Sequence, residues 1–322
     1  MSEQPLIGID IGGTKIAVAA ITSSGRILGC AQAPVCEQSS LAAFNDTLIT
    51  LVRRALAEGG LPGEKPAAIG IGCTGPVDPA QGTVSNPYTL PLPMDSDITT
   101  PLRKAFDAPV LLENDAFAAA LGEAWLGAAR GRELAVCVTF GTGIGCGVVR
   151  AGRLQHGARG HFPEIGHQIL DPTGPPCYCG ASGCWESLAS GTAIGQAGQR
   201  AAQGPGGEAL LALAGGRAEA VDARLVFQAA RSGDPVACHI VERAVRATAA
   251  GVHNLVHAFA PDAIVLGGGM MCHYDLFEPA ARAAIARITI VPVDGLLIAP
   301  AELGANAGLY GAARLAALSL GN

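Results

Sequence analysis

The chain has 322 residues, a formal net charge of −6, and 49 % hydrophobic, 15 % charged and 4 % aromatic residues. That length supports two domains, each with its own core, and the Ala- and Gly-rich bulk excludes a disordered or fibrous protein in favour of a compact α/β one. The acidic balance leaves no electrostatic footprint for nucleic acid or for an anionic membrane.

Residues 6–34 read as three strands, with apolar runs over Leu6–Ile11, Ile16–Ile21 and 26–33. In the first turn, Gly12 and Gly13 let backbone N–H groups approach a phosphate. Thr14 offers a hydroxyl, Lys15 a cation, and Asp10 a carboxylate for hydrated Mg²⁺. The spacing is not a Walker A loop, because Gly8 and Gly13 are followed by Thr-Lys and no helix is expected after them. An ordinary hairpin turn accounts for the same residues.

Leu41, Phe44, Leu48, Leu51, Val52 and Leu56 predict a helix over 39–58 that stops at Gly59-Gly60. A strand over 67–71 runs into the turn Gly72 to Asp78, residues 82–100 read as an irregular excursion, and Thr99 is the expected cap of a helix over 101–106. A short buried strand over 109–112 is followed at once by Glu113-Asn114-Asp115 and an Ala-rich helix to about Leu126. Carboxylates there favour a helix dipole. At the carboxyl end of a parallel strand they can also serve a ligand, Asp115 by taking a proton from a hydroxyl nucleophile and Asn114 by holding neighbouring hydroxyls.

Residues 134–140 form a further strand, followed by Gly141-Thr142-Gly143-Ile144-Gly145 and apolar Val148-Val149. This repeats the opening hairpin about 130 residues later. It predicts an internally duplicated architecture in which each half lends one loop to a shared nucleotide. The uncharged run 134–149 falls short of the ~18–20 residues that span a membrane, and the N-terminus lacks the basic segment of a signal peptide.

Glu164 to Glu186 carries the most specific pattern. His167, Cys177, Cys179 and Cys184 fall within eighteen residues among glycines and prolines, which is a tetrahedral Zn²⁺ donor set. Four protein ligands leave no open position for water, so the metal is expected to be structural. Glu164 and Glu186 flank the set without being needed by it, as expected of a wall for a polyhydroxylated ligand. Cys30, Cys73, Cys137, Cys146 and Cys238 read as plain core residues of a reduced, cytoplasmic protein.

Helices are expected over 192–214, 222–231 and 234–259. His253 and His257 share i, i+4 spacing, but Asn254 stands where a zinc-protease helix has Glu, so solvated or hydrogen-bonded histidines are expected. A strand over 263–266 ends in Gly267-Gly268-Gly269, a side-chain-free surface for a flat base such as adenine. A helix over 275–287, a strand near 296–298 and a helix from Asn306 close the chain.

Together these residues resemble the ROK family (repressors, open reading frames, sugar kinases). The match rests on Asp10-x-Gly-Gly-Thr-Lys15, Thr74-Gly-Pro-Val-Asp78, Glu113-Asn-Asp115, Gly141-Thr-Gly-x-Gly145, Glu164-x-Gly-His167, the cysteine segment to Glu186, and Gly267-Gly-Gly269. The resemblance implies an α/β, actin/hexokinase-like (ribonuclease H-like) fold of two lobes with a cleft between them. A small lobe over 1–115 and a large one over 116–303 with the zinc loop 164–186 are expected, with the helix of 304–322 packing back on the first. It also implies Asp115 as general base and Gly75, Asn114, Glu164, His167 and Glu186 around a sugar. His167 would bind zinc through its other nitrogen. Asp10, Gly12, Gly13, Thr14, Lys15, Gly141, Thr142 and Gly143 would hold Mg-ATP, with Gly267, Gly268 and Gly269 near the adenosine.

The resemblance leaves three departures. Phe117 stands where many relatives have Asn, His161-Phe162-Pro163 replaces small residues before Glu164, and Cys73-Thr74 replaces a commoner apolar-Pro pair. The expected activity is phosphorylation of a hexose 6-hydroxyl, glucose first and N-acetylmannosamine or N-acetylglucosamine as the alternatives. A homodimer is what relatives suggest. A sugar-sensing repressor would need a DNA-binding segment ahead of the first strand, where five residues precede Leu6. A catalytically silent sugar-binding protein would not need Asp10, Asp115 and both glycine hairpins.

Overall fold

The structure, a computed structural model, describes residues 4–35, 40–87, 89–158 and 163–321. The departure at His161-Phe162 lies outside the described residues. The first half runs β1 (Leu6–Ile11), β2 (Lys15–Ile21), β3 (Ile27–Pro34), α1 (Leu41–Glu58), β4 (Ala68–Cys73), β5 (Val77–Asp78), β6 (Thr83–Val84), β7 (Ser96–Asp97), α2 (Thr100–Phe106), β8 (Val110–Asn114) and α3 (Asp115–Leu126). The second runs β9 (Leu134–Phe140), β10 (Ile144–Arg150), β11 (Arg153–Leu154), α4 (Trp185–Ala189), α5 (Gly191–Ala202), α6 (Glu208–Leu213), α7 (Ala223–Arg231), α8 (Pro235–Phe259), β12 (Ala263–Gly267), α9 (Tyr274–Ile285), β13 (Leu297–Pro300) and α10 (Ala307–Ser319).

The duplication read from the two glycine hairpins is visible in the sheets. The first five-stranded sheet has the order β3-β2-β1-β4-β8 and the second β11-β10-β9-β12-β13. In the first, β1 to β3 form an antiparallel meander, and β4 and β8 then add in parallel to β1. Strand β8, two parallel additions away from the meander, ends where ligands sit in open α/β sheets. Residues 1–137, 147–162 and 301–322 cluster as one compact unit, and 138–146 with 163–300 as another.

In the first unit the period-2 alternation of β1 sorts two cores. Ile7, Ile9 and Ile11 pack with Phe44, Leu48 and Leu51 of α1, while Leu6 packs with Leu309, Ala313 and Ala317 of α10. Helix α10 approaches closely because β1 and β4 present Gly8 and Gly70 to it. A Cβ at either would meet the carbonyls of Leu309 and Ala312. Gly8 therefore serves packing.

In the second unit Phe140, Trp185 and Phe277 form an aromatic cluster, Phe140 lying 5.7 Å from Trp185 and 6.3 Å from Phe277 between ring centroids. The Trp185 indole N–H donates to Thr248 of α8 at 3.4 Å. That anchors the first residue of α4, whose second residue is Glu186.

Three local expectations are corrected. The excursion expected over 82–100 is not wholly irregular, because it carries β6 and β7, which join β5 in a small sheet. Thr99 makes no side-chain cap of α2; the Asp97 carboxylate accepts from the N–H groups of Thr99 and Thr100 instead. Cys73, Cys137 and Cys146 are buried as expected, but Cys30 and Cys238 are exposed.

Candidate active site

In the first unit the strand ends β1, β4 and β8 gather the expected residues. Asp10 closes β1 beside a tight turn in which Gly12 N–H donates to the Lys15 carbonyl at 3.0 Å. Gly13, Thr14 and Lys15 are exposed. A Cβ on Gly13 would lie 2.6 Å from the Thr89 methyl, so the excursion between β6 and β7 packs on this turn. Burial pushes the Asp10 carboxyl up to about 6, with the Asp115 charge adding to the shift and Lys15 opposing it.

Strand β8 extends two residues past the expected end, so Asn114 is its last residue and Asp115 the first of α3. Asn114 Oδ1 caps the helix, accepting from Ala116 N–H at 2.9 Å and Phe117 N–H at 3.4 Å. That leaves the Asn114 amide nitrogen to donate, and it faces Gly75: a Cβ there would come within 3.1 Å of it. Gly75 is held in turn by buried Asn86, whose side chain donates to its carbonyl at 2.6 Å. Asp115 Oδ1 accepts from Ala116 N–H at 2.8 Å, and burial raises the carboxyl above its usual range.

In the second unit the Gly141 hairpin is closed by Gly141 N–H donating to the Gly143 carbonyl at 2.9 Å. Glu186 Oε2 accepts from Ile144 N–H at 2.7 Å, and its carboxylate occupies the space a Cβ on Gly143 would need. Thr142 lies in the same turn, its carbonyl accepting from Thr192 N–H at 3.4 Å. Of the three glycines after β12, Gly267 ends the strand, and Gly268 takes φ +90 against the Phe140 backbone. Gly269, unlike Gly268, has open space where a side chain would be.

His167, Cys177, Cys179 and Cys184 come together, with one donor atom from each within 4.8 Å of all the others. His167 Nδ1 is 3.4 Å from Cys177 Sγ, and Cys179 Sγ is 3.6 Å from Cys184 Sγ. Donors about 2.0–2.3 Å from a tetrahedral zinc stand roughly 3.4–3.8 Å apart, so these spacings fit the ion. The backbone sets them: Cys177 N–H donates to Ala181 O at 2.8 Å, Gly180 N–H to Cys177 O at 3.1 Å, and Trp185 N–H to Gln168 O at 2.8 Å. Burial pushes the Cys184 thiol up, so a bound cation is what would hold it as thiolate. His167 Nε2 meets the Tyr178 hydroxyl at 3.1 Å. Glu164 precedes the same turn, its carbonyl accepting from His167 N–H at 3.0 Å.

The residues 6–318 match the ROK family. The chain belongs to the ROK family. Its curated relatives include a glucokinase of Thermotoga maritima, 35 % identical with 98 % of each chain covered. An N-acetylmannosamine kinase of Yersinia pestis is 33 % identical, with 98 % of this chain and 99 % of that one covered. Among solved structures, a ROK hexokinase of Thermus thermophilus aligns with a TM-score of 0.84 at 36 % identity over 99 % of both chains. A ROK glucokinase of Streptomyces griseus, in complex with glucose and AMPPNP, aligns with a TM-score of 0.76 at 33 % identity over 98 % of this chain and 99 % of that one. The fold is thus the actin/hexokinase-like α/β fold of ROK hexokinases. No helix among the described residues is long and apolar enough to cross a membrane.

Sequence reasoning quoted Glu113 in the Glu113-Asn-Asp115 run but missed its partner His156. Glu113 and His156 meet at 2.8 Å beside Asn114, and His156 stacks on Phe117. A carboxylate inside a buried strand was the available signal, since such a group requires a partner. Phe117, singled out because many relatives have Asn there, is buried at 1 % exposure and belongs to the core.

Proposed function

We propose that this ROK protein is an ATP-dependent hexose kinase, transferring the γ-phosphoryl group of Mg-ATP to the 6-hydroxyl of a hexose, with glucose the first acceptor. The supporting observation is the end of β8. There Asp115 Oδ1 accepts from Ala116 N–H while burial raises the carboxyl, and Asn114 presents its amide beside Gly75. Glucose is favoured by the glucokinase relatives at 31–36 % identity.

In this reading the sugar O6–H bond breaks as the proton passes to Asp115 Oδ2. The oxygen forms a bond to the γ-phosphorus, and the bond from that phosphorus to the β–γ bridging oxygen breaks to release ADP. A raised carboxyl suits the task, because a base works best when its pKa lies toward the operating pH. Phosphoryl transfer otherwise needs positioning and charge neutralisation. Backbone N–H groups of the turns Gly12-Gly13-Thr14 and Gly141-Thr142-Gly143, with Lys15, would supply both to the phosphates, and Gly269 a flat backbone to the adenosine.

Asp10 would hold hydrated Mg²⁺, which supplies neutralising charge to the phosphates when bound. The fit is electrostatic: a carboxyl raised by burial and by Asp115 is one whose ionised form a cation favours. Zinc would be held by His167 Nδ1, Cys177, Cys179 and Cys184, fixing the ring so that Nε2, with Glu164 and Glu186, addresses sugar hydroxyls. Thiolate ligands of this kind suit a reducing cytoplasm.

The test is ADP release from Mg-ATP with glucose, mannose, fructose, N-acetylglucosamine and N-acetylmannosamine. Turnover highest with glucose supports the reading. Preference for an N-acetylated sugar moves the assignment to the alternative kinase, and no turnover with any of the five overturns it.

A further inference from the structure

Glu113 is a carboxylate 2 % exposed, and both of its oxygens are used, one of them on the residue that precedes the proposed base. Oε1 accepts the backbone N–H of Asn114 at 2.9 Å, and Oε2 meets His156 Nε2 at 2.8 Å. The His156 ring lies just beyond β11 and stacks on Phe117, with centroids 5.5 Å apart and planes at 29°. One imidazole therefore touches the residue before Asn114-Asp115 and the residue two after it. Asn114 closes the circuit by capping the N–H groups of Ala116 and Phe117.

We infer that Glu113 and His156 form a positioning pair that fixes the peptide of Asn114, and through it the direction of the Asp115 carboxylate. This rests on the kinase reading above. The physical argument is one of buried charge. A carboxylate this enclosed must be paired, and His156 supplies the donor that holds Oε2 while Oε1 keeps the Asn114 amide. Without the imidazole, the carboxylate rotates toward water or another donor and the Asn114 N–H loses its acceptor. The next residue in the chain is the base. Misplacing a reacting group by about 1 Å costs about 10²-fold in rate, so a loosened Asn114 peptide reaches turnover before it reaches the fold. The Glu113 carboxylate also draws His156 toward its charged form, against the opposing effect of burial.

Phe117 gains a role in the same arrangement. Its ring supplies the flat face that orients His156, which accounts for an aromatic residue at this place in α3.

The experiment compares the full-length wild type with H156A and H156Q in steady-state turnover, using the hexose the wild type phosphorylates, with thermal midpoints measured alongside. H156A is expected to lower kcat by about ten-fold or more while KM for ATP stays within about two-fold. H156Q, which keeps a donor that reaches Glu113, is expected to recover most of the loss. If H156A does not fold, H156N, a methylene too short to reach, is read in its place. A folded H156A or H156N with kcat within about two-fold of wild type overturns the inference, as does an H156Q no better than H156A. A wild type that turns over no hexose sinks the kinase reading and this inference together. An active wild type with an indifferent H156A removes the positioning pair alone.

Discussion

Glu186 accepts a hydrogen bond from the Ile144 amide at 2.7 Å, so a single carboxylate ties the start of α4 to the Gly141–Gly145 hairpin. Gly143 gives the carboxylate its room, since a Cβ there would meet it, and on the proposed reading the same carboxylate serves the sugar. We expect Gly143→Ala to displace Glu186 and to raise KM for sugar and for ATP together by about ten-fold each, since one side chain then disturbs two subsites. Steady-state kinetics with each substrate varied checks this, and a change confined to ATP would separate the two roles.

Asp10 makes apo stability depend on pH. The folded protein favours its protonated form, because burial lifts the carboxyl from 3.8 to about 6. Below pH ~4 both folded and unfolded chains carry the proton and the group costs nothing. As pH rises through ~6 the folded protein must ionise a buried carboxyl, and stability is lost. Asp10→Asn should therefore raise the thermal midpoint at pH 8 by an amount equivalent to about 3 kcal/mol, and leave it nearly unchanged near pH 4. Melting curves from pH 4 to 8 in the absence of Mg²⁺ and nucleotide measure the difference.

Removing one thiolate should release the metal. Cys179→Ser is expected to drop zinc from about one ion per chain to near none and to weaken sugar binding through His167, Glu164 and Glu186. Metal analysis and calorimetric sugar titration read the two effects separately. Full zinc occupancy in the variant would break the four-ligand assignment.

Glu123 holds the last connection together from inside the first unit. It is 2 % exposed, and its oxygens accept from Ala128, Glu302 and Leu303 N–H groups at 2.9, 3.1 and 2.9 Å. Glu123→Ala orphans these three donors, one just after α3 and two ahead of α10, and should cost about 2–4 kcal/mol in denaturant unfolding. A loss under about 0.5 kcal/mol would show that water replaces the carboxylate freely.

Much of this arrangement was legible in the sequence because its signals are local. Strand alternation in Leu6–Ile11, the apolar stripe of α1, and two Gly-Thr turns about 130 residues apart disclosed the duplicated fold. The cluster of His167, Cys177, Cys179 and Cys184 was legible because histidine, cysteines and glycines all fall within one loop. The Glu113–His156 pair was not, since its members lie 43 residues apart and meet only when β8 and the segment after β11 are brought together. The small sheet of β5, β6 and β7 escaped for a different reason: strands of two residues are too short to show a period. The packing role of Gly8 was not legible either, because a glycine in sequence does not say which neighbour needs the space.

The most direct measurement of the central claim is turnover by Asp115→Asn alongside its affinity for the sugar. The substitution keeps the side chain's shape and the acceptor for Ala116 N–H but removes the base. The account predicts a loss in kcat of about 10²-fold or more, with sugar binding within about three-fold of wild type and an unchanged melting curve. Turnover within about ten-fold of wild type would contradict it, and the proton would then have to leave the sugar by another route.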